Sequence, residues 1–241
     1  MASYTVRIAG SGKSFQARED ENLLEAALRQ GVMLPYSCKN GTCGSCKGRL
    51  LSGDIAYPFH PPLALEEAEQ EAGDILLCQA AACSDLEVEA REIEAVRDIP
   101  VCKLPARVVE KTRLADNVMK LVLKLPRAQR LQFLAGQYID ILLPGGKRRA
   151  FSIASAPARE GEVELHVRHV DGGDFTGWVF DEMKLKDILR LEGPLGTFFV
   201  RHDAPERPMI MMGGGTGFAP LKSMIEDLLA HGDTRPIHLF W

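Results

Sequence analysis

Polar and apolar residues alternate along Tyr4-Thr5-Val6-Arg7-Ile8-Ala9 and again from Ser14 to Ala17, with Gly10-Ser11-Gly12 between the two runs. A period of two on both sides of such a turn predicts a β-hairpin. The period then changes: Leu23, Leu24, Ala27 and Leu28 recur at helical spacing, predicting a helix capped by Asp20, running through Gln30 and stopped by Gly31. Strand patterns return at 48 to 52, 74 to 79 and 86 to 90, interrupted by Pro58, Pro61, Pro62 and a short acidic helix before Glu71. Residues 1–92 therefore read as a small α+β domain, and 93–103, where periodicity fails around Pro100, as a linker.

From 104 to 205 the pattern is all-β. Alternating runs at 106–111, 118–125, 137–143, 150–154 and 162–170 are separated by Gly and Pro turns, a density that predicts an antiparallel β-barrel. Gly193-Pro194-Leu195-Gly196 is read as a tight turn before Thr197. Past Arg207, Pro208-Met209-Ile210-Met211-Met212 has the apolar character of a parallel strand buried on both faces. A glycine-rich turn, a helix to His231 and a strand from Ile237 to Trp241 complete one β-α-β unit, so 206–241 reads as the start of an α/β nucleotide-binding domain. One such unit cannot cover both faces of its own sheet, and the expectation is that the sequence is truncated within that domain.

The strongest chemical signal lies in the first domain. Cys38, Cys43 and Cys46 fall within nine residues with four and then two residues between them, and Cys78 follows at a distance in Leu76-Leu77-Cys78-Gln79. This is the plant-type spacing that holds a 2Fe-2S cluster. Gly41 and Gly44 let the loop turn its amides inward toward the sulfides. Zinc would want a second close pair of ligands, and Cys83 offers Cys78 no matching partner. Cys83 and Cys102 are expected to be packing residues. Gly10-Ser11-Gly12-Lys13-Ser14 lacks the spacing of a phosphate loop and lies in a hairpin.

Composition narrows the class. The 241 residues are 46% hydrophobic and 26% charged with a formal charge of -4, which is ordinary for a globular protein and does not favour nucleic acid. No apolar run approaches the ~18 residues that span a bilayer. Met1 to Gly10 carries no charged segment followed by an apolar core, so a cytoplasmic setting without a membrane or nucleic-acid partner is expected.

Further candidates sit in the all-β region. In Arg149-Ala150-Phe151-Ser152 a guanidinium, a ring and a hydroxyl can serve a flavin nucleotide's phosphate, isoalloxazine and N5. Gly172-Gly173-Asp174-Phe175-Thr176 opens a helix, whose free amides suit a pyrophosphate. Gly213 to Pro220 forms the glycine-rich crossing where a dinucleotide would sit.

Residues 1 to about 92, with Cys38-x4-Cys43-x2-Cys46 and Cys78, resemble a plant-type ferredoxin, which implies a β-grasp fold. The ordered series Gly136-Gln137-Tyr138, Arg149-x-Phe151-Ser152, Gly172-Gly173-x-x-Thr176 and Gly193-Pro194-x-Gly196 resembles the FAD domain of the ferredoxin-NADP reductase superfamily. Gly213-Gly214-Gly215-Thr216-Gly217-Phe218-Ala219-Pro220 resembles the opening of its NAD(P)H-binding domain. The resemblance implies that Arg149 binds the FAD pyrophosphate, that Phe151 stacks where the family usually has Tyr, and that Ser152 lies near N5 as the catalytic residue. It further implies that His166, Val167 and Arg168 line the FAD, that Gly173 and Thr176 hold its phosphate, and that Gly214, Gly215, Thr216, Gly217 and Pro220 serve NAD(P)H. The implied function is an electron-transfer reductase that takes electrons from NADH or NADPH through FAD to the cluster and on to a protein acceptor. Two subfamilies fit, reductase components of oxygenases and CDP-6-deoxy-3,4-glucoseen reductases serving a deoxysugar dehydrase. His166-Val167-Arg168-His169-Val170 and Glu192-Gly193-Pro194-Leu195-Gly196 look nearer the second. The alternative is a non-catalytic ferredoxin-type carrier with a vestigial flavin domain.

Overall fold

The computed structural model describes residues 2–204 and 206–241. It divides into two compact units, Met1–Asp98 and Ile99–Trp241.

In the first unit the hairpin forms as β1 (Ser3–Ile8) and β2 (Ser14–Arg18), with Val6, Ile8, Phe15 and Ala17 buried by the alternation. Helix α1 is shorter than the expected span through Gln30 and runs over Leu23–Arg29. Asn22, not Asp20, caps it, because the Asn22 side chain accepts from the Glu25 N–H. The chain continues through β3 (Lys47–Ser52), β4 (Ile55–Ala56), α2 (Glu67–Glu71), β5 (Asp74–Leu76), β6 (Ala81–Ala82) and β7 (Leu86–Glu89). The main sheet has the order β2-β1-β7-β3-β5, with β1 and β7 parallel, and β4 pairs with β6 at its side. The expected strand at 74–79 ends at Leu76, so Cys78 lies in a turn. Within the stretch expected to be a linker, a 3-10 turn at Glu94–Val96 buries Val96, and the Ile93 N–H donates to Met33 O at 2.8 Å.

The second unit opens with β8 (Cys102–Ala115), a 14-residue strand that bends through two register shifts against β9 (Val118–Lys124). Then come β10 (Tyr138–Leu142), β11 (Arg148–Ser152), β12 (Glu162–Arg168), helix α3 (Asp174–Asp181) and β13 (Ile188–Leu195). The six strands form one antiparallel sheet in the order β11-β10-β13-β8-β9-β12. Its two ends meet at an isolated bridge, Ile153 with Leu165, at the Ala154 N–H that donates to Glu164 O (2.8 Å), and at the Glu164 N–H that donates to Ser155 Oγ (3.1 Å). The barrel expected from the pattern is therefore an antiparallel sheet whose ends touch without a ladder. Its inward side chains, among them Val108, Leu121, Ile139, Val163, Leu165, Val167 and Leu191, make one apolar core that α3 joins through Phe175 and Val179.

The segment Gly193-Pro194-Leu195 is the end of β13 rather than a tight turn. At Gly193 a Cβ would sit 2.7 Å from Ile139 Cγ2, so the glycine permits the close approach of β10. Finally β14 (Met209–Met212), α4 (Phe218–Ala230) and β15 (Ile237–Phe240) form the expected β-α-β unit with a parallel pair. Of β14 only Met211 is buried, while Ile210 and Met212 are exposed, so the strand is covered on one face and not on both.

Candidate functional site

The cysteine loop leaves α1 and is tethered by the buried Val32, Leu34 and Tyr36. The turn with the distant cysteine is fastened to the helix N-terminus, since the Leu23 N–H donates to Ala80 O (2.8 Å) and the Leu24 N–H to Leu77 O (2.9 Å). Helix-end amides that need partners find them in the segment that must deliver the fourth thiol. Cys46 and Cys78 are buried, Cys38 is half-buried and Cys43 is exposed. The thiols stand in two hydrogen-bonded pairs, Cys38 with Cys43 and Cys46 with Cys78. Among the described residues no three or more His, Cys, Asp or Glu side chains are grouped to hold a metal ion.

Backbone donors are aimed at these sulfurs. Burial pushes the Cys38 thiol up, but hydrogen bonds from Cys43, Asn40 and Thr42 outweigh it and bring it down to about 7. Its hydrogen bond with Cys46 lowers Cys78 to about 6, helped by the Gln79 side chain and the Gly41 N–H, and the same pairing pushes Cys46 up. Gly41 and Gly44 have φ of 81° and 72°, the left-handed region in which the loop can turn its amides inward. Paired sulfurs with inward N–H groups are the donor set of a two-iron cluster, so the residues fit that group. Cys83 is exposed, contrary to the packing role expected for it, whereas Cys102 packs partly against the apolar core of the second unit.

In the second unit, β11 and the start of α3 come together. The Phe151 and Phe175 rings are 5.5 Å apart, Phe175 lies 6.1 Å from Trp178, and Lys147 Nζ is 3.5 Å from Asp174 Oδ2. Arg148 is occupied by Asp140 (3.3 Å) and Glu192 (2.8 Å), whereas among the described residues the exposed Arg149 donates to the neighbouring Arg148 O (2.8 Å) and meets no carboxylate. The guanidinium free of carboxylates is thus the one at the motif position. Ser152 is half-buried at the end of β11. Thr176 Oγ1 accepts from the Val170 N–H at 3.2 Å and so folds the loop onto the first turn of α3. A Cβ on Gly173 would stand 2.6 Å from that oxygen, leaving room there for glycine alone. A helix start with this cradle and an unpaired arginine nearby fits a pyrophosphate. Val167 is fully buried in the core, so its backbone and not its side chain is what it can offer a ligand, while Arg168 is exposed.

His166 shares the outer face of β12 with Glu164, which the sequence reading missed. Glu164 is 5% exposed, yet it accepts from His166 Nε2 (2.9 Å) and Arg159 (3.1 Å) and lies 3.3 Å from Lys222 Nζ. The His166 hydrogen bond, followed against burial by the Lys222 charge, holds its carboxyl down at about 2. Lys222 and Ser223 on α4 also donate to Ala154 O (3.2 Å) and Ser155 O (2.7 Å), which ties the helix to the sheet. Beside this cluster a cleft of about 450 Å³ is lined by Glu164, His166, Lys222, Thr216, Phe218 and Trp241. Gly214, Gly215, Thr216 and Gly217 make the 3-10 turn at its edge, whereas Pro220 is buried in the first turn of α4 and serves packing.

Comparison with known proteins gives both halves of this arrangement counterparts. The chain matches a 2Fe-2S iron-sulfur cluster binding domain over residues 6–83 and an oxidoreductase FAD-binding domain over 105–200. It is 41% identical over 239 residues to the CDP-6-deoxy-L-threo-D-glycero-4-hexulose-3-dehydrase reductase of Yersinia pestis, covering 99% of this chain and 71% of that protein. It is also 41% identical over 242 residues to the phenol 2-monooxygenase reductase component DmpP of Pseudomonas sp. (strain CF600), covering 99% and 67%. The crystal structure of the Amycolatopsis cytochrome P450 reductase GcoB superposes with a TM-score of 0.75 at 36% identity, covering 98% of this chain and 71% of that one. A cysteine loop and a flavin sheet in this order, with relatives of this likeness along almost the whole sequence, make the chain a member of the ferredoxin-NADP reductase superfamily, in its group of NAD(P)H-dependent 2Fe-2S flavoprotein reductases that pass electrons to a protein acceptor.

Proposed function

We propose that Cys38, Cys43, Cys46 and Cys78 would ligate the cluster, which would serve as a one-electron centre. The single observation that carries this is the hydrogen bonding of Cys38 with Cys43 and of Cys46 with Cys78, with amides of Asn40, Gly41 and Thr42 directed at the sulfurs. In the second unit Arg149 and the Gly173–Thr176 turn take the FAD pyrophosphate, Phe151 lies along the isoalloxazine, and Ser152 places its hydroxyl near N5. His166, with Nε2 engaged by Glu164, and the backbone of Val167 and Arg168 line the flavin side of β12. Gly214, Gly215, Thr216 and Gly217 face the nicotinamide nucleotide, with Pro220 fixing the turn onto α4. FAD, when bound, accepts an electron pair as hydride and releases electrons singly. What the chain's own residues do is hold the two centres and keep water from the flavin edge; no acid or base step is required of them.

In this reading the six-stranded sheet works as the flavin barrel, with boundaries at 1–92, 93–103, 104–205 and 206–241, the last serving the nicotinamide nucleotide. The acceptor is a protein component of a dehydrase or oxygenase system, the two kinds of partner that the relatives' names state. The six unpaired thiols suit the reducing cytoplasm. No helix among the described residues is long and apolar enough to cross a membrane.

A visible spectrum with iron and flavin analysis, followed by anaerobic additions of NADH and NADPH, tests the whole scheme. Two irons and one FAD per chain are expected; protein that carries iron but takes up no FAD would be a carrier with a vestigial flavin domain. Arg149→Ala is expected to weaken FAD binding by roughly 10- to 150-fold, because a charge-assisted phosphate contact contributes about 1.5 to 3 kcal/mol. Titration of apoprotein with FAD by fluorescence quenching measures it, and an unchanged affinity removes Arg149 from the site.

A further inference from the structure

The residue after the fourth cysteine is a glutamine with an unusual position. Gln79 is 2% exposed in the turn that carries Cys78. Its Nε2 donates to Cys78 Sγ at 3.4 Å and to Lys39 O at 3.0 Å, and its buried Oε1 has no partner among the described residues. The amide has one workable orientation, since turning it over would set oxygen against a carbonyl and a sulfur that are both acceptors. The stem is held as well: a Cβ on Gly41 would already lie 3.0 Å from Gln79 Cγ. Loop and turn thus grip the side chain from two sides, with its N–H₂ end on the sulfur.

A leucine would fill this space without stranding a buried acceptor. The fold instead keeps an orphan oxygen in order to place a donor, and an unsatisfied buried polar group in a native structure asks for a functional reason, redox roles among them. A donor on a cysteine sulfur draws off charge, and it does so to greater effect when the cluster has gained an electron, so it raises the reduction potential. Meanwhile the second hydrogen bond, to Lys39 O, joins the turn bearing Cys78 to the loop between Cys38 and Cys43.

We propose that Gln79 is a positioning residue that sets the potential of the 2Fe-2S cluster through its hydrogen bond to Cys78 Sγ. This rests on the ligand assignment above. The test is an anaerobic redox titration of the purified holoprotein followed by EPR of the reduced cluster, with iron counted, for wild type, Gln79→Leu and Gln79→Glu. Gln79→Leu is expected to keep its iron and to shift the midpoint to more negative potential by about a tenfold change in the one-electron equilibrium, 59 mV. Gln79→Glu, which presents oxygen to the sulfur, is expected to shift it further. Full iron with an unchanged midpoint overturns the proposal, whereas wild-type protein without iron or an EPR signal would overturn the ligand assignment instead. Should both variants lose iron, wild-type protein grown with side-chain 15N-labelled glutamine decides: pulsed EPR of the reduced cluster is expected to resolve a coupling to the amide nitrogen, and its absence overturns the proposal.

Discussion

Cys46→Ala is expected to give protein with a normal flavin content and almost no iron. Cys46 is 3% exposed and hydrogen-bonded to Cys78, and under the proposed assignment its removal leaves three thiolates for a site that requires four. The consequence reaches beyond colour. The turn with Cys78 holds the N-terminus of α1 through Leu77 O and Ala80 O, and the loop with Cys38 and Cys43 follows that helix, so a cluster held by the proposed ligands would tie these two segments together. Metal binding energy in such a site is folding energy. Loss of even ~3 kcal/mol from a unit of about a hundred residues lowers its melting temperature by roughly 12 to 24 °C. Iron analysis and a calorimetric scan measure both effects, and Cys83→Ser, at an exposed thiol outside the set, should change neither. Full iron in Cys46→Ala would show that the pairing has been misread.

The two redox modules were legible in the sequence for different reasons. Cluster chemistry demands a fixed count and spacing of one residue type, so Cys38, Cys43, Cys46 and Cys78 stand out whatever the secondary structure, and the misplacement of Cys78 in a strand did no harm. The flavin motifs are short and individually weak, but their order along alternating strands is informative. What escaped were residues whose role is conferred by neighbours distant in the chain. Gln79 is a lone polar residue in the run from Ile75 to Ala82, and that incongruity was the only trace it left. Glu164 alternates with Val163 and Leu165, a pattern that reads as a half-solvated strand, because nothing local tells that α4 comes to cover the polar face with Lys222. Strand β13 was hidden by Gly193-Pro194, which reads as a turn until the closeness of Ile139 explains the glycine.

The covered face of β12 supports the second large prediction, that Glu164→Gln destabilises the second unit in a pH-dependent way. At neutral pH the buried carboxylate meets His166, Arg159 and Lys222, and the amide would leave those donors around a neutral group. The folded-state pKa of about 2 lies below the ordinary value of 4.5. A depressed pKa means that the native state favours the ionised form, so its contribution is complete above pH 4.5 and is lost as the pH falls toward 2. The shift corresponds to about 3 kcal/mol, or roughly 6 to 12 °C in melting temperature for a unit of this size. Far-UV circular dichroism melts of wild type and Glu164→Gln, run side by side from pH 7 to pH 3, should show the gap at its widest near neutrality and closing below pH 4.5. A gap that stays constant with pH would mean that the loss comes from packing rather than charge. Because Lys222 sits on the helix that follows the glycine turn, the same substitution should loosen α4 from the sheet, and faster amide exchange along Phe218–Ala230 would report it.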